Sequence, residues 1–186
     1  MAIDDSREFQ PLNIAVITLS DTRTEENDRS GQTLVQLAQT AGHKIVLKHI
    51  IPDEIDGIVG LLNTLCDDPN IDIVLCTGGT GLTNRDVTPE AFQQVVDKDI
   101  PGFGELFRML SHDHIGTSTL QSRATAGLSR GTFLFALPGS TGACKDAWNF
   151  ILKEQLDIRH RPCNFAELLP RFAGTPHARK SGTKLR

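Results

Sequence analysis

Apolar residues follow two alternating patterns along the first half of the chain. Short runs rich in Ile and Val cover residues 13–19, 44–51 and 71–76, and such runs predict strands buried in a sheet. Between these runs, apolar residues recur three and four positions apart, which predicts one helix that ends at Gly42 and another over residues 55–65. Strands that alternate with helices are typical of a parallel sheet with helices on both faces.

The second half continues the same alternation. Thr88, Pro89 and Glu90 predict a helix start, with Thr88 as the N-cap and the helix reaching about Val96. The later elements predicted, in chain order, are a helix over 103–112, a turn over 127–131, a strand over 132–137 and a helix over 143–152. The sequence therefore predicts an α/β domain with a mostly parallel central sheet, in which ligands bind outside the carboxyl ends of the strands.

Composition excludes several kinds of protein. A chain of 186 residues is long enough for one domain that buries its core without disulfides or metal. Its formal net charge of −4 and sequence pI of about 5.8 argue against a surface built for nucleic acid. The four cysteines form no CxxC pair, and there is neither a signal-peptide core nor the ~20 apolar residues of a membrane span. We therefore expect a soluble cytoplasmic protein without nucleic-acid or membrane partners.

Three segments differ in composition. Residues 1–12 form a polar N-terminal segment, and residues 13–170 carry the alternating α/β pattern. The last sixteen positions, 171–186, hold five Lys or Arg residues and no acid, together with Gly, Pro and Ser. This composition predicts a flexible basic tail.

A glycine-rich loop follows the third predicted strand and has the features of an anion site. Its sequence, TGGTG at 77–81, combines glycines that expose backbone N–H groups with threonine hydroxyls, and an arginine follows at 85. The loop matches neither the P-loop nor the dinucleotide fingerprint. The glycines alone would also suit a tight turn. The residues that predict a phosphate cradle are Thr77, Gly78, Gly79, Thr80, Gly81 and Arg85.

Two aspartates lie near this predicted phosphate cradle. Asp86 follows the loop, and Asp53 follows the strand over 44–51, so both are expected at the same sheet edge. A carboxylate repels a phosphate unless a cation lies between them, and Mg²⁺ is bound in this manner by one or two carboxylates and phosphate oxygens. An alternative remains for each aspartate, because Asp53 would also suit a helix N-cap and Asp86 a helix-dipole contact.

The motifs around these residues resemble the MoaB/MogA family of molybdenum cofactor biosynthesis proteins. The similarity extends from about Asn13 to Leu169, and the stretches FRMLS, IGTSTLQSRA and RPCNF resemble the MoaB branch. The motifs that carry it are SD at 20–21, IPDE at 51–54, TGGTG at 77–81, RDVTPE at 85–90, PGFGE at 101–105, SR at 122–123 and PGST at 138–141.

The resemblance implies a three-layer α/β/α domain that binds molybdopterin, a pterin dithiolene with a terminal phosphate. It also implies that the protein adenylylates this phosphate with MgATP and releases pyrophosphate, with Asp53 and Asp86 as catalytic aspartates that hold Mg²⁺ on the nucleotide. Ser122 and Arg123 would reach an anion, although Arg123 would also suit an exposed helix surface. The other residues that the resemblance assigns to pterin or nucleotide binding are Ser20, Asp21, Gly78, Gly79, Thr80, Gly81, Pro138, Gly139 and Ser140.

Three functional hypotheses follow. The first is a molybdopterin adenylyltransferase that depends on Mg²⁺ and ATP, and the second is a molybdopterin-binding carrier without chemistry. The third is a nucleic-acid or protein-binding role of the basic tail, which the acidic body of the chain disfavours. The family resemblance also implies a homotrimer, or a homohexamer of two trimers, and a molybdate-inserting enzyme of the same pathway as a partner.

Overall fold

The computed structural model describes residues 3–172, so the predicted basic tail lies outside the described residues except for Arg171 and Phe172. A six-stranded sheet forms the centre of the protein. Its strands are β1 (Asn13–Leu19), β2 (Lys44–Ile51), β3 (Ile73–Thr77), β4 (Lys98–Asp99), β5 (Thr125–Ser129) and β6 (Thr132–Leu137).

Helices cover both faces of this sheet. The α-helices are α1 (Arg29–Thr40), α2 (Ile55–Asp67), α3 (Thr88–Val95), α4 (Pro101–Ile115), α5 (Thr141–Ala147) and α6 (Lys153–Gln155). A π-helical stretch, Trp148–Leu152, joins the last two, and 3₁₀ helices cover Gly116–Gln121 and Ala166–Arg171. The predicted three-layer α/β/α architecture is confirmed.

The strand order is β2-β1-β3-β6-β5-β4, and the first four of these strands are parallel. The register places Val16 beside Leu75 and Leu75 beside Phe135, so the apolar runs that predicted strands lie next to one another. β5 pairs antiparallel with β6, and β4 pairs antiparallel with β5. The sheet is therefore mixed, with a parallel half and an antiparallel edge.

The interior parallel strands β1, β3 and β6 each contribute side chains to two separate cores, because successive residues point to opposite faces. Val16 and Leu75 belong to the core that α1, α4 and α5 cover, where Trp148 is buried. Ala15 and Val74 belong to the second core, which α2 and α3 cover. Burial on both faces explains why these strands are continuously apolar instead of alternating.

Strand β5 was absent from the sequence prediction, which placed a turn over 127–131. Gly127 lies within β5 and pairs with Leu134 of β6, and the turn itself consists of Arg130 and Gly131. Both turn residues have positive φ, 51° and 91°, as a two-residue type I′ hairpin requires. β5 has the sequence TAGLS, whose small residues carry a weak strand signal, so the prediction of a longer turn was wrong.

The start of α3 also differs from the prediction. Val87 occupies the N-cap position without a side-chain capping bond, and Thr88 is the first helical residue, so the prediction of Thr88 as N-cap was wrong. The Thr88 hydroxyl is instead directed at the glycine-rich loop, where it donates to the carbonyl oxygen of Gly78. Pro89 at the start of the helix agrees with the prediction.

The N-terminal segment packs onto the end of the domain. Asp4 pairs with Arg161, and Arg7 pairs with Glu167, which ties residues before β1 to the segment after α6. Leu12 is buried in the core under α1. No helix within residues 3–172 is both long and apolar enough to span a membrane.

The hairpin turn allows a test of the fold. Gly131→Ala places a Cβ on a residue with φ of 91°, so we expect the free energy of unfolding to fall by about 1–2 kcal/mol. The matched control is Gly60→Ala in α2, where an added Cβ meets open space, and this change should raise stability by about 0.5–1 kcal/mol. Urea denaturation measures both changes, and equal effects would contradict the assigned turn.

Candidate functional site

The carboxyl ends of the four parallel strands meet at one edge of the sheet. Ser20 and Asp21 follow β1, Asp53 follows β2, residues 77–81 extend from β3, and residues 138–140 follow β6. β2 and β3 lie on opposite sides of β1, so the strand order reverses at this edge, and such a point is where ligands bind in open α/β sheets. The structure therefore brings together most of the residues that the sequence assigned to a binding site.

Two glycines of the loop adopt backbone conformations that other residues rarely reach. The φ angle is +115° at Gly78 and +62° at Gly79. A Cβ on Gly78 would collide with the carbonyl oxygen of Leu19, and a Cβ on Gly79 would collide with the Thr88 hydroxyl and the Asp53 carboxylate. The loop passes so close to β1, α3 and Asp53 that only glycine fits at these two positions.

Threonine hydroxyls fix this loop from the protein side. Thr88 Oγ1 donates to the carbonyl oxygen of Gly78 at 2.9 Å, and the Thr88 N–H donates to that of Gly79 at 3.0 Å. Thr77 Oγ1 donates to the carbonyl oxygen of Pro138 at 3.0 Å and so joins the ends of β3 and β6. Thr77 and Thr88 are buried, and their hydroxyl protons are already donated, so these hydroxyls hold the loop in place.

Two cavities meet at the loop. A larger cavity of about 700 Å³ lies between the loop, α4, the following 3₁₀ helix and α5, and a smaller cavity of about 250 Å³ lies at the ends of β1, β2 and β3. Gly78, Gly79 and Gly139 line both, so backbone at these positions separates the two spaces. Other predicted site residues in the larger cavity are Thr80, Gly81, Asp86, Ser122, Pro138 and Ser140. Those in the smaller cavity are Ser20, Asp53 and Thr77.

Asp53 lines the smaller cavity and has one buried carboxylate oxygen. Its Oδ1 makes no hydrogen bond to any group within residues 3–172, while its backbone N–H donates to Oδ1 of Asp21 at 3.2 Å. Burial, followed by the negative charge of Asp21, raises the pKa of the Asp53 carboxyl above its ordinary value. Glu54 is the N-cap residue of α2, and no side chain caps that helix, so Asp53 is not an N-cap.

Asp86 has the opposite electrostatic setting. Its Oδ2 accepts hydrogen bonds from the N–H of Thr83 at 2.8 Å and from the Thr83 hydroxyl at 2.7 Å. Burial acts to raise the pKa of Asp86, but these bonds and one from the Gly81 N–H outweigh burial, so the pKa is lowered. Asp86 lines the larger cavity and Asp53 lines the smaller, so the two aspartates lie in different cavities beside one loop.

Arg85, which the sequence predicted as an anion contact, is bound to two carboxylates. Its Nη2 lies 2.7 Å from Oδ2 of Asp21, and its Nη1 lies 3.0 Å from Oε1 of Glu54. The hydrogen bond from Arg85 holds the pKa of Asp21 below its ordinary value. The guanidinium therefore neutralises the acids at the mouth of the site, and its surface-exposed position does not line the smaller cavity.

Arg123 supports the loop from its other end. Its Nε donates to the carbonyl oxygen of Gly81 at 2.7 Å, its Nη2 donates to that of Asp86 at 2.6 Å, and its Nη1 pairs with Glu90. Neighbouring Ser122 accepts a hydrogen bond from the Ala124 N–H at 3.3 Å. The guanidinium of Arg123 thus binds protein groups that shape residues 81–86.

The donor set fits Mg²⁺ better than a metal held by protein ligands alone. Within residues 3–172, no three His, Cys, Asp or Glu side chains converge as a metal site. Mg²⁺ needs only one or two carboxylates where substrate phosphates and water supply the other ligands. The unpaired Oδ1 of Asp53, beside Gly79, can serve as one such oxygen. The assignment of Asp86 as a second ligand stays a prediction.

A buried charge cluster beside the smaller cavity was missed by sequence reasoning. Asp28 is the N-cap of α1 and accepts a hydrogen bond from the Gly31 N–H at 2.9 Å. Its other oxygen accepts from the Thr18 hydroxyl at 2.9 Å and lies 3.1 Å from Lys48 Nζ. An acid directly before a helix is an N-cap signal, but other acids precede it in residues 21–26, and nothing local distinguishes Asp28.

Comparison with known proteins assigns the family. The profile of the family described as "Probable molybdopterin binding domain" matches residues 15–158. The chain belongs to the MoaB/MogA family of molybdenum cofactor biosynthesis proteins. "Molybdenum cofactor biosynthesis protein B" of Escherichia coli K12 is 50% identical over 160 residues, which are 86% of this chain and 94% of the relative.

Two further relatives support the MoaB assignment. The protein of the same name from Bacillus subtilis 168 is 42% identical over 159 residues, 84% of this chain and 94% of the relative. A crystal structure of a "Molybdenum cofactor biosynthesis protein B" matches with a TM-score of 0.81 at 38% identity and covers 89% of this chain and 98% of that chain. The MoaB/MogA resemblance read from the sequence motifs is therefore confirmed.

The unpaired carboxylate in this MoaB-type protein predicts a stability penalty. Because the folded state raises the pKa of Asp53, its ionised form destabilises the fold above that pKa, and the penalty vanishes as the pH falls below the ordinary value of 3.8. Asp53→Asn should therefore raise the thermal midpoint at pH 7 in metal-free buffer, by about 2–4 °C for each 1 kcal/mol removed. The gain should disappear near pH 3.

Differential scanning calorimetry of both proteins measures this effect. The matched control is Asp56→Asn in the first turn of α2, where the carboxylate is exposed and interacts favourably with the helix dipole, so no gain is expected. An unchanged or lower midpoint for Asp53→Asn at pH 7 would contradict the assigned electrostatic strain.

Proposed function

We propose that this MoaB/MogA-family protein adenylylates the terminal phosphate of molybdopterin with MgATP and releases pyrophosphate. The observation that carries the proposal is the pair of cavities that share Gly78, Gly79 and Gly139 as a common wall. A transfer between two phosphorylated substrates requires two binding spaces that meet where the phosphates react. The loop between these cavities provides such a meeting point, with one aspartate on each side.

The two cavities suit different parts of the substrates. The smaller, of about 250 Å³, is lined by Ser20, Ser30 and loop backbone, which suits a polyphosphate and not a ring system. The larger, of about 700 Å³, has Phe107 and Ile115 in its wall, which suits a planar heterocycle such as a pterin. With the polyphosphate of ATP in the smaller cavity and the pterin in the larger, the ATP phosphates and the terminal phosphate of molybdopterin would both lie against the loop.

The chemistry requires positioning and charge neutralisation. A terminal phosphate oxygen of molybdopterin forms a bond to the α-phosphorus of ATP, while the bond from that phosphorus to the bridging oxygen breaks and its electron pair leaves with pyrophosphate. A phosphate monoester with a second pKa near 6 is largely a dianion at pH 7, so its attacking oxygen carries no proton. No general base is needed, and the loop backbone at 78–79 aligns the reacting groups.

Asp53 contributes the negative oxygen on which a cation is held. Bound Mg²⁺ would neutralise phosphate charge and polarise the phosphorus–oxygen bonds. The fixed Gly79 backbone keeps the Asp53 carboxylate beside the loop, and the raised pKa of Asp53 means that a cation competes with a proton for this oxygen. Cation binding should therefore weaken as the pH falls through that pKa.

The alternative function is a molybdopterin-binding carrier without chemistry, and one observation favours it. The Asp86 carboxylate is engaged by Thr83 and Gly81, which is the arrangement of a residue that shapes the loop. A carrier would need that shape but would not need the Asp53 carboxylate. The two functions therefore make opposite predictions for substitutions at 53.

Adenylyl transfer from α-labelled ATP to molybdopterin tests the proposal. Asp53→Asn should reduce the rate at least about 100-fold, because a charge that stabilises the transition state is lost, while molybdopterin affinity stays within about twofold. A wild-type protein that binds molybdopterin but forms no adenylylated product would refute the proposal in favour of the carrier.

A second comparison separates chemistry from loop shape at Asp86. Asp86→Asn removes the charge, whereas Thr83→Val removes one hydrogen bond to the same carboxylate and leaves the charge. If Asp86 takes part in transfer, its substitution should cost at least about tenfold more activity than Thr83→Val. Equal losses would assign Asp86 to the support of the loop.

A further inference from the structure

Most cationic side chains near the site already have anionic partners. Arg85 and Lys48 lie near the smaller cavity without lining it, and Arg123 contacts Gly81 at the far end of the loop. Their partners are Asp21 and Glu54 for Arg85, Glu25 and Asp28 for Lys48, and Glu90 for Arg123. A polyphosphate that enters the smaller cavity therefore needs its positive charge from another residue.

Arg23 is the cation that lines the smaller cavity. Within residues 3–172, its guanidinium makes one hydrogen bond, a long one of 3.5 Å to the carbonyl oxygen of Asn27. The backbone around it is fixed, because Ser20 Oγ accepts hydrogen bonds from the N–H groups of Thr22 and Arg23 at 3.2 Å each. Within residues 3–172, this exposed arginine has no carboxylate partner, and it lies on a hydrogen-bonded turn beside the cavity.

The smaller cavity combines this arginine with groups that suit a magnesium polyphosphate. Ser20 and Ser30 supply hydroxyls, the loop supplies glycine backbone, and Asp53 supplies a carboxylate. A guanidinium binds phosphate oxygens through parallel charged hydrogen bonds, whereas Asp53 would repel them without a cation. Arg23 would therefore contact the phosphate oxygens directly, whereas Asp53 would hold the cation that accompanies them.

We propose that Arg23 binds the β- and γ-phosphates of ATP and stabilises pyrophosphate as it leaves. The inference deepens the proposed adenylylation and rests on it. As the bond from the α-phosphorus to the bridging oxygen breaks, the electron pair and its negative charge pass to pyrophosphate, and the guanidinium balances that charge. Arg23 is the residue that distinguishes ATP from AMP at this site.

Calorimetric titration with three ligands in the presence of Mg²⁺ tests this assignment. The ligands are α,β-methylene-ATP, which cannot be cleaved at the reacting bond, AMP and inorganic pyrophosphate. Arg23→Gln should weaken binding of α,β-methylene-ATP and of pyrophosphate by about 10- to 100-fold and leave AMP affinity within about twofold. Arg23→Lys should recover part of the loss, because it keeps the charge without the planar fork.

Arg29→Gln is the matched control, since Arg29 is also an exposed arginine and lies six positions along the chain in the first turn of α1. It should leave all three affinities unchanged, and thermal midpoints check that each variant is folded. Equal weakening of AMP and α,β-methylene-ATP by Arg23→Gln, or no weakening of either, would overturn the role of Arg23.

The wild-type titrations separate this inference from the proposed function. If wild-type protein binds pyrophosphate through Arg23 but no adenine nucleotide, the polyphosphate site stands and adenylylation fails. If it binds α,β-methylene-ATP with an affinity that Arg23→Gln does not change, the nucleotide binding that adenylylation requires is retained and the inference fails. If it binds neither ligand, both fail.

Discussion

The close approach of the Gly78–Gly79 backbone to β1, α3 and Asp53 is the constraint on which the site depends. A side chain at either position would displace the Leu19 carbonyl, the Thr88 hydroxyl or the Asp53 carboxylate. Because the loop lies this close, its backbone alone separates the two cavities. The same peptide groups therefore line both cavities. The hydrogen bonds from Thr88 hold the loop there, so the fold of α3 and the shape of the site are coupled.

Some charged groups around the loop are paired with other protein groups and one is not. This difference distinguishes residues that support the loop from those available to a ligand. Arg85 and Arg123 are bound to carboxylates or carbonyl oxygens, and Asp86 is bound by donors that lower its pKa. Asp53 has an oxygen without a donor within the described residues, and its pKa is raised. Paired groups stabilise the loop, whereas the Asp53 carboxylate, with an oxygen that lacks a donor within residues 3–172, is the group at which we propose that a cation binds.

Local sequence signals predicted the elements and the place of the site, but not the partners of its side chains. β1 matched its predicted bounds because an interior parallel strand is buried on both faces and is continuously apolar. β2 matched its bounds although it is a half-exposed edge strand, because its Ile and Val residues are followed directly by Pro52. TGGTG identified the loop because several glycines directly after a buried strand favour a close approach of the backbone. β5 was not predicted because its small residues carry a weak strand signal, and its strand structure depends on pairing with β4 and β6 in the sheet. The partners of Arg85 and Arg123 lie up to 64 and 42 positions away, distances over which one sequence carries no pairing information.

The buried oxygen of Asp53 bears on the choice between enzyme and carrier. A carrier needs a cavity of the right shape, and an asparagine at 53 would preserve the shape without placing a negative charge beside Asp21 and an incoming phosphate. An ionised carboxylate at this position opposes both folding and phosphate binding unless a cation is present. A carboxylate that is unfavourable for folding is nevertheless useful where a cation must be held between the protein and a phosphate. The position of Asp53 in the wall of the smaller cavity, apart from the larger cavity that we assign to the pterin, therefore supports metal-assisted transfer over storage of molybdopterin.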